Sequence, residues 1–384
     1  MIYLDYAATS PMSQVAIDAY RQAAERFYGN ASSLHDAGSD SKNVLDRSRK
    51  VIASTLNVSD RGLRFTGSGS EASFLALCSI AEANADKGRH LITTGVEHSS
   101  VRNTMNWLEK HGYSVTRLPV NRTGRVEIRE LEQALRDDTI LVSIQHVNSE
   151  TGTIQPLKEI GELLSVHQAV FHSDMVQSFC KLPVSPGEWG LQSCSISAHK
   201  IHGPKGIGAA YIDPGVSWSP FIADATQENG FRPGTVDTPA AVAFAAAVND
   251  SSTGLEKKLA HVRRLKKLLI DKLESRLGDT VTVEGDPVHT SPYIAGLRLY
   301  GMEGQYAMLE CSQNGLAIST GSACQINEQK PSPALLAMGR TAEEAMGFIR
   351  LSLDSSTTET EIVQAVQILT KVVEKYLEKV VTNE

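Results

Sequence analysis

The 384-residue sequence has no run of about 18 apolar residues, so no stretch is long and apolar enough to read as a membrane-spanning helix. Its opening, Met1-Ile2-Tyr3-Leu4-Asp5, lacks the basic and apolar stretches of a secretory signal, which predicts a cytoplasmic protein with no membrane partner. Positive charge is also short: 37 Lys and Arg against 44 Asp and Glu leave a net charge of −7. A chain with that balance lacks the basic footprint that neutralises phosphates, so nucleic acid is not an expected partner. Cysteines are few, odd in number and without a CxxC, which indicates neither a disulfide framework nor a zinc site. Internal repeats and low-complexity tracts are missing too.

What remains is an ordinary globular composition, 41% hydrophobic and 21% charged, on a chain long enough for two domains. From Leu63 onward, short strand candidates alternate with helical spacing, at His90–Thr94, Ser114–Leu118, Ile140–Ile144, Ala169–Ser173, Ser193–Ser197 and Ile207–Tyr211. Such alternation predicts an α/β fold, with a largely parallel sheet that binds ligands at the carboxyl ends of its strands. Near Leu255 a long amphipathic helix begins, carrying Leu259, Val262, Leu265, Leu269 and Leu273 on one side and stopped by Gly278. Strands and helices beyond it suit a smaller α+β domain. The expected division is a large α/β domain over 12–254 and a small one built from 1–11 and 255–384.

Several polar residues fall where this pattern places strand ends. Ser197-Ala198-His199-Lys200 runs from an alternating strand into a Gly/Pro turn, so Lys200 stands where regular structure gives way to a loop. A lysine there is a solvated charge or an amine poised for Schiff-base chemistry. Gly67-Ser68-Gly69-Ser70 lies between a strand and a helix, a setting for a phosphate or for a plain turn with Ser70 as N-cap. Asp174, His98 and Asn148 follow strand candidates and face either a ligand or structural hydrogen-bond partners. Cys78, Cys180, Cys194 and Cys311 sit among apolar or strand-like neighbours, as small buried hydrophobes do; Cys324 sits in a stretch, 320–333, whose composition predicts a loop.

Taken in order, these residues resemble the cysteine desulfurases of the NifS/IscS type, in the class V aminotransferase group of pyridoxal phosphate (PLP) enzymes. The resemblance runs through Leu4-Asp5-Tyr6-Ala7-Ala8-Thr9, Gly29-Asn30-Ala31-Ser32-Ser33-Leu34-His35, Glu97-His98 and His146-Val147-Asn148. It continues through Ala198-His199-Lys200, Arg232-Pro233-Gly234-Thr235, Ser319-Thr320-Gly321-Ser322-Ala323-Cys324 and Ile349-Arg350. It implies an aspartate aminotransferase-like large domain and a homodimer that converts L-cysteine to L-alanine. The sulfur would pass to a persulfide on Cys324, and from there to an acceptor or scaffold protein for iron–sulfur cluster or other sulfur-containing products.

By the same resemblance, Lys200 is the covalent anchor of PLP, Asp174 the partner of its ring nitrogen, and His98 the ring-stacking residue that assists proton transfer. Asn148 and Gln177 would serve the ring hydroxyl region, while Gly69, Ser70, Ser197 and His199 would hold the phosphate with Thr235 from the partner subunit. Asn30 and Arg350 would take the substrate carboxylate. The sequence departs from the family at Gly67-Ser68-Gly69-Ser70, where Ser-Gly-Ala-Thr is commoner, at Ala31 in place of proline, and at Met175-Val176 in place of small residues. Alternatives are a selenocysteine lyase or another class V PLP lyase and, outside enzymes, a sulfur-transfer scaffold.

Overall fold

The structure is a computed structural model, and it describes residues 1–321 and 330–383. Its strands, in chain order, are Ile2–Tyr3 (β1), Leu63–Thr66 (β2), His90–Thr94 (β3), Ser114–Leu118 (β4), Thr139–Ser143 (β5), Val170–Asp174 (β6), Ser193–Ser197 (β7), Gly208–Ile212 (β8), Val281–Glu284 (β9), Ile294–Leu299 (β10), Leu316–Ala317 (β11) and Phe348–Ser352 (β12). Seven of these form one sheet in the order β2-β8-β7-β6-β5-β3-β4. β8 pairs antiparallel with both neighbours, and every other pairing in the sheet is parallel.

Both faces of this sheet are covered, and every strand in it but the edge strand β4 is buried along its whole length. Ile92, Val142, Phe171 and Ala209 enter one buried cluster, with Leu45 and Ile52 of the helix Asp36–Thr55 and Phe244 of the helix Thr238–Ser252. Their neighbours Leu91, Leu141, Val170 and Ala210 point the other way, into a cluster with Leu75 and Leu77 of the helix Gly69–Ala83 and Val101, Met105 and Leu108 of the helix Ser99–Lys110. The two-residue period of a strand, where adjacent residues are both apolar, produces these two interiors from one sheet.

A third cluster lies around the antiparallel sheet β12-β10-β9, where Leu297, Ile349 and Leu351 pack against Leu259, Val262, Leu265, Leu269 and Leu273 of the helix Leu255–Leu277. That helix begins and ends as its sequence predicts, with Gly278 at the C-cap. The chain start joins the same cluster through Leu4, because β1 pairs parallel with β11 and Asp5 bridges to Ser352. Residues 5–8 thereby pass between the small sheet and the carboxyl ends of the large one. Among the described residues, no helix is long and apolar enough to cross a membrane.

Candidate active site

A cavity of about 260 Å³ opens at the carboxyl ends of β2, β3, β5, β6 and β7, and its wall includes Gly69, Ser70, His98, Gln145, Asp174, Gln177, Ser197, His199, Lys200 and Arg350. The loop Gly67-Ser68 feeds the helix Gly69–Ala83 into one side of it. Ser68, in extended backbone, is the N-cap: its Oγ accepts from the Glu71 amide at 3.1 Å, and the Glu71 carboxylate accepts in turn from the Gly67 amide. The sequence offered Ser70 as that cap. With Ser68 doing the capping, Ser70 stands in the first turn on the cavity wall, beside amides that have no intrahelical partner. Gly69 is required for the close fit, since a Cβ there would lie 3.0 Å from Ser197 Cβ and 3.0 Å from Val176 Cγ2.

Ser197 ends β7, and its Oγ is a buried hydroxyl with no hydrogen-bond partner. Next to it His199 sets Nδ1 3.1 Å from Thr9 Oγ1, and burial with the Lys200 and Lys205 charges lowers its pKa to about 4. Lys200 donates through Nζ to the carbonyls of Ala7 at 2.5 Å and Ala8 at 2.7 Å. Burial, then the Arg350 and Lys181 cations, brings its ammonium down from the ordinary 10.5 to about 7. Near neutrality this amine is therefore available as a free base, as a nucleophilic lysine has to be.

Asp174 closes β6 and is buried, its Oδ1 accepting from the Val176 amide at 2.9 Å. Burial raises its pKa against the opposing pull of His98 and Lys200, so a cation placed beside it would be strongly favoured. His98 caps the helix Ser99–Lys110 with Nδ1, which accepts from the Ser100 amide at 3.2 Å and lies 2.8 Å from Ser100 Oγ. Because Nδ1 is the acceptor, the proton of the neutral ring belongs on Nε2. Burial keeps that ring neutral by lowering its pKa. Gln177 donates to Ala7 O at 2.9 Å and leaves its buried Oε1 without a partner. Arg350, on β12, donates to Ser149 O at 2.9 Å and to Asp5 Oδ1 at 2.8 Å, while its buried Nε has none.

The chain matches the Aminotransferase class-V family over residues 2–365. It belongs to that family. A putative cysteine desulfurase NifS of Halalkalibacterium halodurans is 45% identical to it over 375 residues, which is 98% of this chain and 99% of the relative. The cysteine desulfurase IscS of Dictyoglomus turgidum is 35% identical over 374 residues, 97% of this chain and 95% of that one. A solved NifS-like protein superposes with a TM-score of 0.90 at 30% identity, covering 97% of this chain and 99% of its own. The fold is therefore that of the PLP-dependent class V enzymes, and PLP is the family's cofactor.

The class V site is chemically suited to that group. The free amides at the start of the Gly69 helix and the unpartnered Ser197 hydroxyl suit a phosphate, the Lys200 amine an aldehyde, and the buried Asp174 carboxyl a protonated ring nitrogen. Three residues named from the sequence are not in this cavity's wall, although Asn148 stands between two that are, Val147 and Ser149. Asn148 spends its side chain on the backbone: Nδ2 donates to Val96 O at 3.0 Å, and Oδ1 accepts from the Glu150 and Thr151 amides. Asn30 and Thr235 are exposed, Asn30 accepting from the Ser32 amide at 3.0 Å. Cys324 lies outside the described residues. The other four cysteines are buried as expected, and burial pushes Cys78, Cys194 and Cys311 up to about 12.

Sequence reasoning missed several groups. The Ala7 and Ala8 carbonyls belong to a quoted motif, yet nothing in an alanine pair signals a lysine partner. Glu97 is fully buried, its Oε1 accepting from Thr94 Oγ1 and the Gln145 amide at 2.9 Å each, so it ties the turn bearing His98 to the end of β5. Burial raises it to about 8, which leaves it protonated at neutral pH.

Proposed function

We propose that this class V enzyme is a PLP-dependent cysteine desulfurase that converts L-cysteine to L-alanine and leaves the sulfur as a persulfide on Cys324. The observation that carries this reading is the convergence of Lys200, Asp174, His98 and Ser197 on one cavity, in a chain similar along its length to cysteine desulfurases. Bound there, PLP supplies an electron sink for the pair left at the substrate α-carbon when its proton departs.

The residues divide the remaining work. Gly69, Ser70, Ser197 and His199 hold the phosphate, and His199 does so as a neutral ring. Asp174 would hold the positive ring nitrogen, and Gln177, whose buried Oε1 has no partner, would serve the ring hydroxyl region. Lys200 takes and returns the α-proton at Nζ, which a pKa of about 7 permits in both directions. His98 keeps its Nε2 proton for transfer while Ser100 holds the other nitrogen. Arg350 binds the substrate carboxylate, pinned by Asp5 and Ser149 so that its fork is already oriented. Cys324 attacks the substrate sulfur as a thiolate, so that the S–S bond forms as the substrate's Cβ–S bond breaks. The electron pair of that bond stays on the carbon skeleton, which takes up a proton at Cβ and leaves as alanine, and a sulfur-acceptor protein then receives the persulfide sulfur for iron–sulfur clusters or other products.

The working unit in this reading is a cytoplasmic homodimer, divided within each chain into a large domain over 12–254 and a small one over 1–11 and 255–384. Asn30 and Thr235 support the dimer because they are exposed and absent from their own cavity's wall, and Tyr28 and Leu34 beside Asn30 are 79% and 100% exposed. A partner subunit would cover those apolar side chains and receive Asn30 and Thr235 at its site.

The test is Cys324→Ala, with labelled persulfide, alanine release and the visible absorbance of PLP read on the same preparation. Loss of persulfide with the absorbance kept supports the assignment. Cysteine turnover unchanged in Cys324→Ala would sink it, and faster release from selenocysteine without any need for Cys324 would point to a selenocysteine lyase instead.

A further inference from the structure

Lys200 has a second cavity behind it. This space of about 430 Å³ lies on the side of Tyr6, Lys181, His202, Lys258, Tyr293 and Asp354, and Lys200 lines both cavities. Four basic residues line it (Lys181, Lys200, His202 and Lys258) against two acids, Asp250 and Asp354. Most of these charges are already spent. Lys258 Nζ donates to the carbonyls of Asp250 and Ser251, at 2.7 and 3.2 Å. His202 lies 2.8 Å from Asp354 Oδ2 and 3.0 Å from Pro11 O, and Asp354 Oδ1 accepts from the amide and hydroxyl of Ser356.

Lys181 is the exception. It is 7% exposed, yet its ammonium has no hydrogen bond among the described residues, and the ring it faces is Tyr293, at 5.9 Å. Burial lowers its pKa only to about 8, so at neutral pH it remains a cation. The residue is buried but its Nζ opens onto the cavity, and an ammonium whose three donors meet no protein acceptor there favours an acceptor that enters from outside. Water can satisfy the donors but leaves the surplus of positive charge in place.

We propose that this second cavity is a binding site for a small oxyanion, of the sulfate, phosphate or carboxylate class, held by the Lys181 ammonium behind Lys200. The geometry favours an oxyanion because the unspent group is a point-charge donor and the neighbouring carboxylate is already saturated by His202 and Ser356. Through the shared wall such an anion acts on Lys200 from behind, offsetting a cation that otherwise discourages protonation of the reactive amine. The inference does not depend on which substrate the front cavity takes.

The PLP-loaded protein, with its phosphate cradle filled, is titrated calorimetrically with sodium sulfate, phosphate and acetate in turn at constant ionic strength. Saturable binding of one anion per chain is expected from at least one of the three, and the tighter of the tetrahedral and planar ions defines the class. Lys181→Met is expected to weaken binding about tenfold or more, and Lys181→Arg to keep it within about threefold. Selenate soaked into crystals of the wild-type protein gives a reading that needs no variant to fold: its anomalous peak should fall in this cavity, within hydrogen-bond reach of Lys181. Absence of saturable binding by all three ions, unchanged affinity in a folded Lys181→Met protein, or a selenate peak elsewhere would each overturn the proposal.

Discussion

Arg350 donates through Nη2 to Asp5 Oδ1 at 2.8 Å, across 345 residues of sequence, and the two ends of the chain thereby meet at one guanidinium. Both residues sit on strands or bridges of the small sheet, and Arg350 also exchanges backbone hydrogen bonds with Ser319, five residues before Cys324. The fork is thus oriented before any carboxylate arrives. Asp5→Asn keeps the acceptor oxygen but removes its charge, so substrate binding should suffer more than turnover. The expectation is a KM for cysteine raised about tenfold with kcat less affected, the size of one charge-assisted hydrogen bond. A kcat loss at unchanged KM would show that Asp5 serves the chemistry and not the fork.

Gly69 supports a prediction about cofactor retention. Its missing side chain lets the helix start lie against Ser197 and Val176, each 3.0 Å from where a Cβ would stand. Gly69→Ala must push either the helix or the end of β7 outward, at a cost of about 1–3 kcal/mol. Part of that strain falls on the phosphate cradle. PLP should dissociate more readily, as measured by equilibrium dialysis, while Gly187→Ala, whose added Cβ has nothing nearer than 3.9 Å, should retain it normally.

The Lys200 amine sets a pH prediction. In the protein freed of cofactor its pKa of about 7, lowered by burial and by Arg350 and Lys181, means that the reactive free base grows in as pH rises through that value. The rate of covalent PLP capture should climb between about pH 6 and 8 and then level off, where an exposed lysine would still be climbing toward its ordinary pKa of 10.5. Stopped-flow absorbance measures this directly. A rate still rising tenfold per unit above pH 9 would mean that the burial does not govern this amine.

How far these features were legible in the sequence depends on the scale of the interaction that fixes them. Lys200, Asp174, His98 and Ser197 could be placed at strand ends because apolar strands in a parallel sheet announce their own boundaries. The choice between Ser68 and Ser70 as N-cap could not be read, since both are serines beside glycine and only the extended backbone of Ser68 decides it. The motif around Asn148 implies a place at the ring, and nothing in it announces the turn at Glu150 and Thr151 whose amides its oxygen also holds. Lys181 and the Ala7 and Ala8 carbonyls gave no signal, because their importance lies in long-range contacts of residues whose local pattern is unremarkable. The strand edges differ by a residue at β5, β6 and β8, the ordinary spread of an element's ends, which the hydrophobic pattern does not fix.

The last prediction concerns stability and rests on His202 and Asp354, 2.8 Å apart, the first next to Ile201 of one buried cluster and the second next to Leu353 of another. Burial opposes the charged form of His202, yet hydrogen bonds to Asp354 and to Pro11 O raise its pKa above the ordinary value. Asp354 moves the other way: burial opposes its ionisation too, but His202 and Ser356 hold it well below the usual carboxylate range. For the histidine, the linked stability is complete below about pH 6.5 and is lost as pH rises through the raised folded pKa. For the aspartate, it is present above about pH 3.9 and is lost as pH falls through the depressed one. Both contributions therefore overlap fully between about pH 4 and 6.5. His202→Gln should lower the melting temperature of the PLP-loaded protein by a few degrees at pH 6 and by less at pH 9, as the wild-type ring loses its charge with rising pH. An equal deficit at both pH values would assign His202 a packing role and deny the ion pair.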